Sequence, residues 1–167
     1  MVIILAVEIC CIISQDMVET FYYKSPIGVL KFELENDTVL ALKVIDNCFE
    51  NSTLAGSFAE VSKQLDEYFA GKRTHFELKI NPIGTAFQRK VWEELRKIPY
   101  GKTKSYQEIA EAIGKPNAQR AVGSACNKNP ILLLIPCHRV ISKTGSLTGF
   151  ACGLKVKENL LRLEGVI

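Results

Sequence analysis

The sequence predicts an α+β protein in two parts: a small N-terminal sheet-plus-helix domain over residues 1–82 and a C-terminal domain over 83–167 made mostly of short helices. Three observations predict it. The first 48 residues alternate with the period of two that strands require, and later segments repeat at helical spacing. Asn81-Pro82-Ile83-Gly84 interrupts the chain where one pattern gives way to the other. The charge divides at the same seam, with seven Lys and Arg against twelve Asp and Glu in residues 1–82 and fourteen against six in 83–167.

Taken in order, Val2 to Ile13 reads as a buried strand. It is apolar but carries Glu8, has no Lys or Arg ahead of it, and is too short to span a bilayer, so neither a signal nor an anchor is expected. Strands follow at Glu19 to Tyr23, at Val29 to Glu35 after the turn signal Ser25-Pro26-Ile27-Gly28, and at Val39 to Ile45, which together suggest a small antiparallel sheet. Leu54, Phe58, Val61, Leu65, Tyr68 and Phe69 then recur at helical spacing up to Gly71, giving an amphipathic helix to cover that sheet. Beyond the seam, Thr85 to Lys97 places Phe87, Val91, Trp92 and Leu95 on one helical face and closes at Pro99-Tyr100-Gly101.

Ser105-Tyr106-Gln107-Glu108 has the form of a capping box, a hydroxyl at the N-cap with a carboxylate three residues on, and starts a short helix through Ile113. Gly114-Lys115-Pro116 ends it. Asn117 is placed to cap a second helix, Ala118 to Lys128, whose Ala121, Gly123, Ser124 and Ala125 let a neighbour approach closely. Two short helices joined by a Gly-containing turn in the basic half read as a helix-turn-helix, and the positive charge is what phosphate contacts need.

Six cysteines without a regular framework argue for reduced thiols in a cytosol-like compartment. With no CxxC pair and only His75 and His138 as histidines, a zinc site is not expected. Cys10, Cys11 and Cys48 read as small buried hydrophobes. Cys137 differs, because the apolar run Ile131 to Ile135, read as a buried strand, delivers it between Pro136 and His138-Arg139. Thiolate is the nucleophile, and neighbouring cations or a base that takes the proton favour it. Glu164, interrupting an apolar helix from Val156 to Leu163 at its end, is either a solvated carboxylate or the group that orients an imidazole in a Cys-His-acid relay.

Pro136-Cys137-His138-Arg139-Val140, preceded by Arg120-Ala121-Val122-Gly123 and Asn129-Pro130, resembles the signature of the O6-alkylguanine-DNA alkyltransferases, and the likeness runs from about Ser25 to Gly165. The resemblance implies a ribonuclease-H-like N-terminal module and a winged-helix-like catalytic domain. It also implies DNA repair by irreversible, stoichiometric alkyl transfer from O6-alkylguanine, and from O4-alkylthymine, in duplex DNA. Cys137 is then the acceptor, His138 the base that takes its proton through a water, Glu164 the carboxylate that orients His138, and Asn129 the brace of the active-site turn. Tyr106, Arg120, Val140, Ala151 and Lys157 form the implied substrate- and DNA-binding set, with Arg120 filling the stack left by a flipped nucleotide and Tyr106 crowding the phosphate. The helix-turn-helix docks in the minor groove. The implied protein is a cytoplasmic monomer with no cofactor, no metal, no membrane contact and no obligatory protein partner.

The sequence departs from that pattern in Gly149-Phe150-Ala151-Cys152-Gly153, where the family more often has Tyr-Ser-Gly-Gly. Phe150 offers no hydroxyl and Cys152 adds bulk beside the pocket, which bears on large alkyl groups more than on methyl. The first sixteen residues precede the family's usual start, which makes Met17 a candidate initiator. Two alternatives stand beside this reading. A damage-binding relative would lack the acceptor cysteine, and a Cys-His-Glu hydrolase would need no nucleotide-binding helix pair.

Overall fold

The computed structural model describes residues 18–45 and 56–167. The expected strand at Val2 to Ile13, together with Cys10, Cys11, Met17, Cys48 and Leu54, lies outside those residues. The sequence 19–45 folds as a meander of β1 (Glu19–Ser25), β2 (Gly28–Glu35) and β3 (Thr38–Ile45), antiparallel throughout, with Phe32 paired to Phe21 on one side and to Leu42 on the other. The β2–β3 turn uses Asn36 and Asp37, both with positive φ, which Asn and Asp tolerate better than most residues. Alternation buries Leu30, Phe32 and Leu34 on one face. Helix α1 (Ser57–Phe69) lays Phe58, Val61, Leu65 and Tyr68 on that face, with the rings of Phe21 and Phe58 stacked at 4.7 Å. The sheet gains a fourth strand that periodicity did not indicate: β4 (Lys79–Ile80) runs parallel to β3. Two residues are too few to show a period.

In the second half, α2 (Ala86–Arg96) begins at Thr85, whose hydroxyl accepts from Gln88 N while the Gln88 side chain accepts from Thr85 N. Its Trp92 is buried and donates from Nε1 to Ala125 O at 2.9 Å, tying α2 to α4 (Gln119–Asn127). Gly84 is required here, because a Cβ at that position would fall about 2.4 Å from the Trp92 ring. The capping box at Ser105 and Glu108 forms as expected and starts α3 (Tyr106–Ala112). Asn117 does not cap α4: the N-cap is Ala118 and no side chain satisfies it. The turn between the helices closes on backbone bonds instead, Lys115 N to Ala110 O and Ala118 N to Lys115 O. A short parallel pair, β5 (Lys104–Ser105) with β6 (Val140–Ile141), joins the start of α3 to the segment after Cys137, and α5 (Leu154–Leu163) completes the core with Leu160 and Leu161.

The strand expected at Ile131 to Ile135 is a turn. Ile131 alone pairs, with Leu42 of β3, and the chain then folds back through Leu134 N to Leu132 O and Ile135 N to Ile131 O, with Leu133 at φ 69°. All five side chains are buried, because the turn lies between the sheet and the helices and is covered from every side. A short, wholly buried apolar run does not reveal its backbone conformation by periodicity. The seam is hydrogen-bonded: Leu42 N donates to Pro130 O and Leu132 N to Leu42 O, each at 2.9 Å, so β3 of the N-terminal sheet braces the turn that presents Cys137. Among the described residues, no helix is long and apolar enough to cross a membrane, and no group of three or more His, Cys, Asp or Glu is placed to hold a metal ion.

Candidate active site

Cys137 opens a single 3-10 turn, Cys137–Arg139, directly after the buried turn. Asn129, just past α4, fixes both ends of this segment. Its Oδ1 accepts from Ile131 N at 3.0 Å, and its Nδ2 donates to Ile135 O at 2.7 Å and to Cys137 Sγ at 3.1 Å. The thiol faces a cavity of about 230 Å³ whose walls include Asn129, Cys126, Phe150, Ala151 and Cys152, with Leu42 and Val44 of β3 behind them. Cys126, Cys137 and Cys152 are all free thiols.

Behind the thiol, two consecutive side chains, those of His138 and Arg139, are buried around one carboxylate. His138 Nε2 meets Glu164 Oε1 at 2.8 Å, and Arg139 grips the same carboxylate through Nε to Oε2 at 2.8 Å and Nη2 to Oε1 at 2.9 Å. Tyr68 Oη adds a bond to Oε1 at 2.7 Å and Gly101 N one to Oε2 at 3.2 Å, while Arg139 Nη1 donates to Ile98 O. Burial works against the charge on Glu164, but the bonds from His138, Arg139 and Tyr68 outweigh it and hold its carboxyl well below the usual range. An ionised carboxylate only accepts, so Nε2 of His138 carries the proton and Nδ1, fully buried and without a partner among the described residues, is the acceptor. Burial lowers the pKa of His138, opposed by Glu164, so the imidazole is neutral and basic at Nδ1.

The expectation that flanking cations depress the thiol is corrected by this arrangement. Burial pushes Cys137 up to about 11, against smaller opposing effects of the Asn129 amide and Lys157. Arg139 is turned away and spent on Glu164. The resting group is therefore a protected thiol that needs a base, not a standing thiolate.

The structure places Lys157 inside the fold. Its side chain is 0% exposed; Nζ donates to Val140 O at 2.6 Å and Thr148 O at 3.1 Å and lies 5.9 Å from the centroids of both Tyr106 and Phe150. It pins the walls of the pocket. Tyr106 and Arg120 lie beside a second cavity of about 280 Å³ with Gln119, Gly123, Thr148 and Gly149, and Tyr106 Oη donates to Thr148 O at 3.1 Å. Arg120 is exposed there. Asn127, the last residue of α4, borders both cavities, so they adjoin.

The structure thus gathers Cys137, Asn129 and Ala151 at one cavity, His138 and Glu164 behind it, and Tyr106 and Arg120 at its neighbour. The sequence did not single out Tyr68, Cys126 or Asn127. Tyr68 sits in a helical apolar pattern, indistinguishable there from core, and nothing in the sequence signals that its hydroxyl crosses to Glu164.

Comparison with known proteins gives the lineage of this arrangement. The family model for the DNA-binding domain of 6-O-methylguanine DNA methyltransferase matches residues 86–166, and the model for its ribonuclease-like domain matches residues 17–82. The chain belongs to the 6-O-methylguanine DNA methyltransferase family. Within that family, it is 52% identical over 124 residues to a methylated-DNA–protein-cysteine methyltransferase of Methanosarcina acetivorans, covering 74% of this chain and 78% of that protein. With the Mycobacterium leprae protein of the same name it shares 46% over 145 residues, 84% of this chain and 88% of that one. The crystal structure of Mycobacterium tuberculosis O6-methylguanine methyltransferase matches with a TM-score of 0.81 and 41% identity, covering 89% of this chain and 93% of that one. A structure of the mycobacterial protein in complex with DNA matches with a TM-score of 0.79 and 41% identity, over 86% and 90% of the two chains. The α+β fold of this methyltransferase family, sheet domain first and DNA-binding domain second, is the fold of the chain.

Proposed function

We propose that the protein repairs DNA directly, transferring the alkyl group of O6-alkylguanine, and of O4-alkylthymine, in duplex DNA to Cys137 Sγ in a single irreversible turnover. The observation that carries this reading is a buried thiol at the wall of a cavity of about 230 Å³, with a neighbouring imidazole whose free nitrogen has no partner among the described residues. The relatives' shared name and the DNA complex of the mycobacterial homologue support it.

In this mechanism the Cys137 proton passes through a water to His138 Nδ1, and Glu164 stabilises the imidazolium through Nε2. The sulfur electron pair attacks the alkyl carbon, the carbon–oxygen bond breaks, and its electrons return to the base. The leaving base then takes up a proton. The raised pKa of the thiol limits side reactions until substrate fills the pocket and transfer to His138 is coupled to attack. Sulfur–carbon bond formation leaves no route back to free thiol, so each molecule acts once.

The duplex hides O6, so the nucleotide is extruded toward the minor-groove side, at a cost of a few kcal/mol. It passes from the cavity beside Arg120 and Tyr106 to the adjoining one at Cys137. Arg120 fills the vacated stack, and the exposed lysines that flank α4, Lys115 and Lys128, supply phosphate affinity. The backbones of Cys137 and Val140 read the base edge, with Val140 O steadied by Lys157. Burial raises the pKa of Tyr106, so its hydroxyl stays protonated at the mouth and donates to the base by leaving Thr148 O.

Incubation with a duplex oligonucleotide carrying O6-methylguanine, followed by peptide mass spectrometry, tests the reading. One methyl group is expected on the peptide containing Cys137, in a 1:1 ratio to repaired guanine. Methyl on Cys126 or Cys152 instead, or turnover without a protein adduct, would overturn it.

A further inference from the structure

The N-terminal half enters the described site in two ways. β3 braces the turn before Cys137, and α1 sends one hydroxyl across to the carboxylate behind His138. Tyr68 is 1% exposed, and its ring is held on three sides by Phe69 at 5.3 Å, Phe76 at 5.1 Å and Tyr100 at 6.1 Å between centroids. A packed ring of this kind has no freedom to swing, so the core fixes where its hydroxyl oxygen sits. That hydroxyl meets Oε1, the same oxygen that accepts from His138 Nε2.

We propose that Tyr68 is a positioning residue for the transfer reaction, one that fixes Glu164 Oε1 so that His138 keeps its proton on Nε2 and offers Nδ1 to Cys137. The proposal rests on the acceptor role of Cys137 given above and extends the relay by one group, out of the DNA-binding half and into the sheet half.

Several donors compete for a single oxygen of Glu164. Oε1 takes three donors, Tyr68 Oη, His138 Nε2 and Arg139 Nη2, and Oε2 takes Arg139 Nε and Gly101 N. Each donor withdraws charge from the carboxylate, so each weakens its pull on the imidazolium. The titratable and charged groups facing this carboxylate are His138 and Arg139 from the 3-10 turn, Tyr68 from α1 and Tyr100 from the loop after α2, while Lys157 of α5 faces His138 from the other side. Removing the Tyr68 hydroxyl alone concentrates charge on Oε1. His138 then holds a proton to higher pH, and a protonated His138 cannot take one from Cys137. The same loss frees the carboxylate to tilt toward Arg139, which degrades the alignment of Nε2.

Both effects are readable in Tyr68→Phe, which keeps the ring. A hydrogen bond to a buried charge is strong enough to move a neighbouring titration by about one pH unit. Single-turnover transfer at saturating methylated oligonucleotide, from pH 5 to 9, is therefore expected to show the acid limb displaced upward by about one pH unit and the plateau reduced by roughly 3- to 10-fold. DNA affinity stays at the parental value. In a Glu164→Gln background, where the acceptor charge is gone, Tyr68→Phe produces no further shift of the limb. A merely structural tyrosine lowers the unfolding midpoint and leaves the two pH profiles superimposable; that result overturns the proposal. Should Tyr68→Phe be too unstable to assay, 3-fluorotyrosine at position 68, a stronger donor of nearly equal size, must move the limb downward, and an unmoved limb counts against the proposal equally. The parent in the same series reports separately on the underlying reading, because absence of methyl on its Cys137 refutes the acceptor assignment whatever Tyr68 does.

Discussion

Glu164→Gln exchanges one oxygen for an NH2 group and removes one charge, with almost no change in volume. In the parent the carboxylate receives five hydrogen bonds, one each from Tyr68, His138 and Gly101 and two from Arg139. An amide offers one acceptor oxygen. Turned with that oxygen toward Tyr68 and His138, it sets its NH2 against Arg139 Nε and Gly101 N, donor facing donor. Turned the other way, its NH2 faces His138 Nε2, which forces the ring proton onto Nδ1 and removes the base. Either way Arg139, 7% exposed, keeps its charge and loses its counter-charge. Breaking one side of a buried ion pair costs about 3–5 kcal/mol, a large part of the roughly 5–15 kcal/mol that holds a domain folded. Loss of positioned base catalysis costs roughly 10²- to 10⁴-fold in rate. The two effects are separated by measuring urea unfolding and, at a temperature where the variant is fully folded, single-turnover transfer at saturating DNA. Binding is expected to be unchanged, since Glu164 is buried away from the exposed face of α4. A folded variant transferring at the parental rate would refute the relay, and with it the role assigned to His138 Nδ1.

Four further outcomes are expected. Cys137→Ala abolishes transfer and retains DNA binding, checked by adduct mass and fluorescence anisotropy; transfer persisting on Cys126 or Cys152 reassigns the acceptor. Arg120→Ala and Arg120→Lys both slow transfer on a paired lesion and recover when the lesion sits opposite an abasic gap, whereas a phosphate-only arginine makes the lysine variant nearly parental and the loss dependent on salt. Asn129→Ala orphans Ile131 N, leaves Ile135 O only its bond from Cys137 N and removes the donor to Cys137 Sγ, so it costs about 1–3 kcal/mol in urea unfolding and slows transfer; unchanged stability would show that the turn holds without it. Stability falls as pH falls, in two stages. His138 has a folded pKa below its unfolded one, so the unfolded chain takes the proton first below about pH 6.5, and Glu164, also depressed, adds a second loss below about pH 4.3. Urea midpoints between pH 8 and 4 check this, and a midpoint that rises between 7 and 5.5 contradicts the buried neutral imidazole.

What the sequence revealed of the site tracks how local each interaction is. The capping box at Ser105 lies within four residues and was legible, as were β1 to β3, whose alternation is dictated by one buried face. Cys137 is legible as the candidate acceptor because Cys137, His138 and Arg139 are consecutive. The turn at Ile131 to Ile135 was misread as a strand, since burial on all sides erases the alternation that would have distinguished the two. Lys157 enters the substrate- and DNA-binding set only through the family resemblance, while its fully buried ammonium binds two carbonyls that only the tertiary fold brings to it. Tyr68 escaped notice for the converse reason, its ring obeying the helical apolar period while its hydroxyl serves a residue 96 positions away.

The bonds between Leu42 and the 131–135 turn, with that of Tyr68 to Glu164, have a kinetic consequence. Contacts of such sequence separation are the slowest to form, because long loops must close before anything rewards them. During synthesis the sheet half emerges first and waits, and the nucleophile has no finished pocket until the last helix docks. Assembly of the reaction centre and completion of the core are the same late event. A half-made chain therefore carries Cys137 without the His138–Glu164 pair behind it, and the proposed transfer becomes possible only when folding is complete.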